Sequence, residues 1–170
     1  IAAGGQGAPL VPLFHQTILK KQSSDTALVN IGGIANITYV EETLLGYDIG
    51  PGNCLVDAWC QRKLKKPYDD KGHWARTGKL DDQLLKRLLN EAYFYLEPPK
   101  STGKELFNLD WLRKNAIEHQ LERMSSQDIQ RTLLELTAVT IVKSVKKTPK
   151  VSNVIVCGGG RRNEFLMERI

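Results

Sequence analysis

The chain has little of what marks several protein classes. Cysteine occurs only at Cys54, Cys60 and Cys157, an odd number at spacings that suit neither a disulfide framework nor a zinc site, so these thiols are read as small buried hydrophobes. No apolar run approaches the roughly 20 residues that span a bilayer, and no charged-then-apolar signal segment opens the sequence. Both absences point to a cytoplasmic protein without membrane contact. Lys and Arg outnumber Asp and Glu, 24 to 19, but they lie in scattered pairs such as Lys20-Lys21, Lys65-Lys66 and Lys146-Lys147. With no basic tract interleaved with aromatics, nucleic acid is not an expected partner. Neither a Gly-x-Gly-x-x-Gly dinucleotide fingerprint nor a phosphate loop ending Gly-Lys-Ser/Thr occurs, which argues against NAD and excludes a P-loop nucleotidase on this segment. His15, His73 and His119 show no paired ligand spacing; they are read as structural, and no metal-ligating residue is assigned.

What the chain does have is glycine at strand ends. The clusters are Gly32-Gly33 within Val29–Ile37, Gly50-Pro51-Gly52 after Tyr47-Asp48-Ile49, and Gly158-Gly159-Gly160 after Val154–Cys157. Bare backbone amides at such places can cradle a polyphosphate. At 170 residues with 41% apolar content, the chain is long enough for one domain with a substantial core. It begins Ile1-Ala2-Ala3 without methionine and closes on Glu164–Ile170, a helical start with no glycine cap. We read it as an internal part of a longer protein.

Along the chain, Gly4 to Pro9 is a loop and Phe14 to Lys20 a short helix. Ala27 to Val40 reads as one strand, interrupted by Gly32-Gly33 as a bulge or close backbone approach, with Thr43 to Ile49 as its antiparallel partner. Asn53 suits the N-cap of a helix running to about Leu64. Residues 66–125 are more mixed and resemble an insertion, with a helix near Asp81 to Glu91 and a loop at Pro98–Gly103. Ser125 and Asp128 have capping-box-like spacing at the start of a long helix to about Lys147, whose broad apolar stripe suits packing on a sheet. Val154–Cys157 is apolar without alternation, as in a strand buried on both faces, and Gly158–Asn163 leads into the last helix. No fixed-period repeat is visible.

Asp48 is the most informative acid. It ends a strand directly before Gly50-Pro51-Gly52, where it is either an Asx-type turn residue or a general base facing a cleft. Asp57, in the first turns of the following helix, reads as a helix-dipole partner. Gly32-Gly33 is equally compatible with a bulge and with an anion approach. Gly158–Gly160 is a nucleotide approach or a tight turn. Trp59, Trp74 and Trp111 read as core.

Together these segments carry a resemblance. Gly4–Pro12, Asn30–Asn36, Gly46-Tyr47-Asp48 with Gly50–Asn53 and Asp57-Ala58-Trp59, Lys66–Asp69, Pro99–Gly103, and Val156–Gly160 with Asn163 resemble the anhydro-N-acetylmuramic acid kinase family, in the family's order and over nearly the whole chain. The resemblance implies an α/β, actin-like (ribonuclease H-like) ATPase fold with a mixed sheet, flanking helices and a helical insertion. The chain would be most of the second of two domains that clasp ATP and a sugar. It further implies Asp48 as catalytic base, with Gly32, Gly33, Gly158, Gly159, Gly160 and Asn163 at the nucleotide and Gly7, Ala8, Pro9 and Asn36 at the amino sugar. ATP and Mg²⁺ are the implied cofactors and a homodimer the implied assembly, although an unpaired edge could equally drive association. Two positions depart from the family pattern: Ile49 stands where Thr or Ser is usual, and Lys104 where Arg is common. The family's N-terminal Gly-Thr-Ser phosphate loop and its C-terminal acidic segment have no counterpart here. The chain alone is therefore expected not to turn over, and the alternative reading is a non-catalytic nucleotide- or sugar-binding module.

Overall fold

The computed structural model describes residues 25–40, 44–116, 118–148 and 151–170. The expected loop at 4–9, with Gly7, Ala8 and Pro9, and the expected helix at 14–20 lie outside the described residues.

The residues on either side of Gly32-Gly33 form two strands instead of one interrupted strand. β1 (Thr26–Ile31) and β2 (Ile34–Val40) are antiparallel, with Ala27 opposite Tyr39 and Ile31 opposite Ala35. Apolar residues alternate on both sides of the glycine pair, and a flexible pair between two alternating runs reverses the chain. The Gly pair is thus a hairpin turn. β3 (Leu44–Pro51) pairs antiparallel with β2, as the sequence suggested, and it carries the bulge: Ala35 faces Gly50 but Asn36 faces Asp48, leaving Ile49 as the extra residue. A bulge at this point redirects the strand immediately after Asp48.

β4 (Asn153–Cys157) is parallel to β1, and the four-stranded sheet runs β3-β2-β1-β4. The expectation that β4 is buried on both faces is not met. Among the described residues it has β1 as its one strand neighbour and Val154 is 40% exposed, because, of its residues, only Val156 packs against the described core.

α1 (Cys54–Leu64) follows β3. Asn53 does not cap it as expected: its backbone is already helical, and its side-chain amide donates to the Ile31 carbonyl at 3.3 Å. The hairpin turn supplies the cap. Asn53 N–H donates to the Gly32 carbonyl at 2.8 Å, and Gly52 and Cys54 N–H donate to the Gly33 carbonyl at 2.9 and 3.0 Å. The two carbonyls satisfy the amides at and just before the helix start, one turn earlier than the N2 and N3 amides that an N-cap side chain serves.

Between α1 and the long helix come the short α2 (His73–Arg76), α3 (Asp82–Leu88), α4 (Leu109–Ala116) and α5 (Glu118–Arg123). The Pro98–Gly103 segment is irregular, as its prolines and glycine require. Leu84, Leu88, Tyr93, Phe107, Trp111 and Leu112 join the same buried cluster as the sheet residues Val29, Ile37 and Ile49. Trp59 and Trp111 are core residues whose indole N–H groups donate to the Ser126 carbonyl at 2.9 Å and to Glu91 at 2.6 Å.

α6 (Ser126–Lys147) is capped by Ser125, whose hydroxyl accepts from Asp128 N–H at 3.1 Å. Its buried Ile129, Leu133, Leu136 and Ile141 face the sheet side of the core. Thr137 Oγ1 donates to the Gly52 carbonyl at 2.8 Å, tying the helix to the end of β3. The chain closes with α7 (Glu164–Arg169), capped by Asn163. Among the described residues no helix is long and apolar enough to cross a membrane.

Candidate functional site

Asp48 lies where β3 bulges, opposite Asn36 on β2. Both are 6% exposed. The Lys100–Thr102 segment holds the aspartate from the side: Asp48 N–H donates to the Lys100 carbonyl at 3.2 Å, Ser101 Oγ donates to Asp48 Oδ2 at 2.9 Å, and Thr102 N–H donates to the same oxygen at 3.1 Å. The Tyr93 hydroxyl anchors the Asp48 carbonyl at 2.7 Å. Burial, then the Asp48 charge, push the Tyr93 phenol well above its usual range, so it acts as a fixed donor. The carboxylate is therefore asymmetric. Oδ2 receives two hydrogen bonds, whereas Oδ1 receives none among the described residues. Beside it, the buried side-chain oxygen of Asn36 also has no donor among the described residues. A buried acceptor without a partner costs about 1–3 kcal/mol, and a ligand hydroxyl or amide would remove that cost.

A cleft of about 790 Å³ adjoins this arrangement, lined by Gly32, Gly33, Asn53, Cys54, Asp57, Lys104, Asn108 and Gly159 among others. Asp48 and Asn36 do not line it. The segment Ser101–Lys104 spans the two places, with Ser101 and Thr102 on the Asp48 carboxylate and Lys104 in the cleft. Asp57 is half-buried, and its carboxyl is pushed up to about 6 by burial, against the pull of the Lys104 charge. Burial likewise raises the Cys54 thiol to about 11, which keeps it protonated and unreactive near neutral pH.

The three glycines after β4 divide between packing and access. Gly158 has φ +85°, and a Cβ there would meet Asn30 Oδ1 and the Ile31 carbonyl at 2.6 Å. Gly160 is buried against Ile31. Only Gly159 is exposed and opens on the cleft, with nothing nearer to an added Cβ than the Asn53 side-chain nitrogen at 4.0 Å. Asn163 does not line the cleft. Its side-chain oxygen accepts from Leu166 N–H at 3.0 Å as a helix cap.

A second cavity of about 670 Å³, lined by Tyr39, Tyr47, Phe94, Lys100 and residues of α6, holds none of the candidate residues. The structure thus brings together Asp48 with Asn36, and Gly32 with Gly33 and Gly159. Ser101, Thr102 and Tyr93 were not singled out from sequence, since 53, 54 and 45 residues separate them from Asp48. Asp57 was assigned only to the helix dipole, and Lys104 was noted only as a departure from a pattern; nothing local in the sequence signals that they share a cleft.

The chain is 50% identical over 173 residues to an anhydro-N-acetylmuramic acid kinase of Shewanella sp. (strain ANA-3), and 47% identical over 175 residues to the one of Coxiella burnetii (strain Dugway 5J108-111). All of the chain is covered in both cases, and it spans 46% of the length of each relative. The family model described as anhydro-N-acetylmuramic acid kinase matches residues 1–170, and the chain belongs to that family.

Proposed function

We propose that this chain forms one wall of the active-site cleft of a kinase that opens the 1,6-anhydro ring of anhydro-N-acetylmuramic acid and phosphorylates O6. The observation that carries this reading is the asymmetry of Asp48: a buried carboxylate with one oxygen fixed by Ser101 and Thr102 and the other without a donor among the described residues. That is the form of a positioned general base.

In this mechanism Asp48 Oδ1 takes a proton from a water as the water oxygen bonds to the anomeric carbon. The bond from that carbon to O6 breaks, and O6 accepts the γ-phosphoryl group of ATP, giving N-acetylmuramic acid 6-phosphate and ADP. Asn36 Oδ1 accepts from a sugar hydroxyl or the acetamido N–H. Gly32, Gly33 and Gly159 let the phosphates approach the backbone, while Gly158 and Gly160 hold the turn against β1. Asn163 fixes the helix that follows, at the adenosine end.

The residues of the cleft fit Mg²⁺. Among the described residues no cluster of three or more His, Cys, Asp or Glu could cage a metal, but Mg²⁺ keeps several waters and uses one or two carboxylates together with phosphates. Asp57 is the carboxylate that would hold it. When bound, the ion neutralises phosphate charge, which together with positioning supplies most of phosphoryl-transfer catalysis.

We assign the chain to an actin-like fold, as a single unit over 1–170 forming most of the second domain, with 66–125 inserted in it. The mixed four-stranded sheet with flanking helices supports this assignment. A cytoplasmic homodimer completes the proposal. The test is coupled ADP release with the anhydro sugar, in a full-length kinase carrying this segment. Sugar-dependent turnover lost by about 10³-fold or more in Asp48→Asn supports the reading; a folded enzyme without sugar-dependent turnover sinks it and favours a binding module.

A further inference from the structure

Lys104 has a position that no hydrogen bond or ion pair explains. Its ammonium group makes neither among the described residues, and the residue is exposed on the cleft side of the Ser101–Lys104 segment. The side chain lies across the bare backbone of the hairpin turn: a Cβ added to Gly33 would sit 2.9 Å from Lys104 Cε and 3.6 Å from Nζ. A surface lysine ordinarily lays its methylene stem along the protein and keeps its ammonium in water, and this stem runs over the bare Gly33 backbone with the charge held at the cleft. Here it lies over a glycine turn at the mouth of a cleft, opposite Asp57 and Gly159. Asp57 is within electrostatic reach but forms no contact pair with it.

We propose that Lys104 binds the terminal phosphate of the donor nucleotide over the Gly32-Gly33 turn, and that the Ser101–Lys104 segment thereby couples phosphate binding to the orientation of Asp48. This rests on the kinase reading above. The ammonium supplies a point charge to the oxygens of the transferred phosphoryl group, where attraction grows as charge develops. The same four residues carry the donors to Asp48 Oδ2, so a phosphate that draws Lys104 inward also tightens the hold on the base. A side chain at Gly33 would meet the flexible end of Lys104 and shift the ammonium from its place over the turn.

The experiment compares Lys104→Met, Lys104→Arg and Gly33→Ala in a full-length kinase carrying this segment, with steady-state kinetics and calorimetric titration of ADP and of a non-hydrolysable ATP analogue. Lys104→Met is expected to lower kcat/KM for ATP by about 10²-fold. It should weaken the ATP analogue more than ADP and leave the sugar KM within about twofold of wild type. Lys104→Arg retains most activity, because the charge remains. Gly33→Ala gives an intermediate loss with the lysine still present. Unchanged ATP parameters in Lys104→Met, beside an active wild type, overturn the Lys104 assignment alone. Equal weakening of ADP, ATP analogue and sugar also overturns it, since that would mark a general loss of structure. A wild-type enzyme without sugar-dependent turnover overturns both readings.

Discussion

Asp48 and Asp69 are both more than nine-tenths buried, at 6% and 9% exposure, yet they are held in opposite ways. Asp69 Oδ1 accepts from Trp74 N–H at 2.9 Å, and its Oδ2 accepts from Ala75 N–H at 2.8 Å and from the Gln130 amide at 3.5 Å. Every oxygen of Asp69 is used, and by donors from the start of α2 and from α6, so it is a joint between helices. Asp48 has its two donors on a single oxygen and an unpartnered Asn36 oxygen beside the other. The difference teaches how to separate a buried acid that joins structural elements from one that keeps an oxygen for a ligand, the role proposed for Asp48. Burial alone does not distinguish them; the distribution of donors between the two oxygens does.

The comparison breaks most sharply under amide substitution. Asp48→Asn keeps the shape and the Ser101 contact but cannot take a proton, so turnover falls by about 10³-fold or more, while the melting temperature stays within a few degrees; activity and thermal denaturation measured on one preparation check both. Asp69→Ala does the reverse. It leaves two amides of α2 without acceptors and should cost about 3 kcal/mol of stability, read by urea denaturation, with turnover per folded molecule retained. If Asp69→Ala instead silenced a stably folded enzyme, the division between the two acids would be wrong.

Ser101→Ala sharpens the contrast from the side of the donors. It removes one of two hydrogen bonds from Oδ2 and should lower kcat about tenfold while leaving KM for ATP and sugar unchanged, and Ser101→Thr should restore the rate. A KM effect of equal size would mark Ser101 as a binding residue.

The smallest effect concerns Asp57, a third acid that is neither fully buried nor satisfied. Its carboxyl sits at about 6 in the fold against 3.8 ordinarily, so the folded state binds the proton more tightly than the unfolded state. The group therefore favours folding at low pH, and that contribution is lost as pH rises from about 4 through about 6. Asp57→Asn should become more stable relative to wild type across that window, seen as melting temperatures that diverge from about pH 4 through about pH 6 and then keep a constant difference. Stabilisation by Mg²⁺ with nucleotide should be fuller above that pH in wild type and missing in the variant.

Much of the framework was legible from residue patterns. The Ser125 cap and the extent of α6 follow from local chemistry, as does the helix from Cys54 to Leu64. The hairpin at Gly32-Gly33 was misread as an interruption in one strand, because a glycine pair within an alternating run suits a bulge and a reversal alike, and the partner strand decides. Asn53 has the residue type of a helix cap, but its backbone is already helical and its side-chain amide donates to the Ile31 carbonyl on the neighbouring strand. The apolar run at Val154–Cys157 suits a strand buried on both faces, but an apolar run does not show what covers those faces, and the strand is exposed or half-exposed among the described residues. At the site, Asp48 stood out through the glycines that follow it, and its helpers Ser101, Thr102 and Tyr93 did not.

The sequence by itself determined the extent of α1 and α6, the Ser125 cap and the family, since helical periodicity, local capping chemistry and ordered motifs are properties of neighbouring residues. Only the tertiary structure decided which oxygen of Asp48 lacks a donor among the described residues, which of the three glycines after β4 opens on the cleft, and that Lys104 and Asp57 line the same cleft. Those are relations between residues separated by tens of positions along the chain. They exist only once the hydrophobic core has brought the Lys100–Lys104 segment against β3 and the Gly32-Gly33 turn.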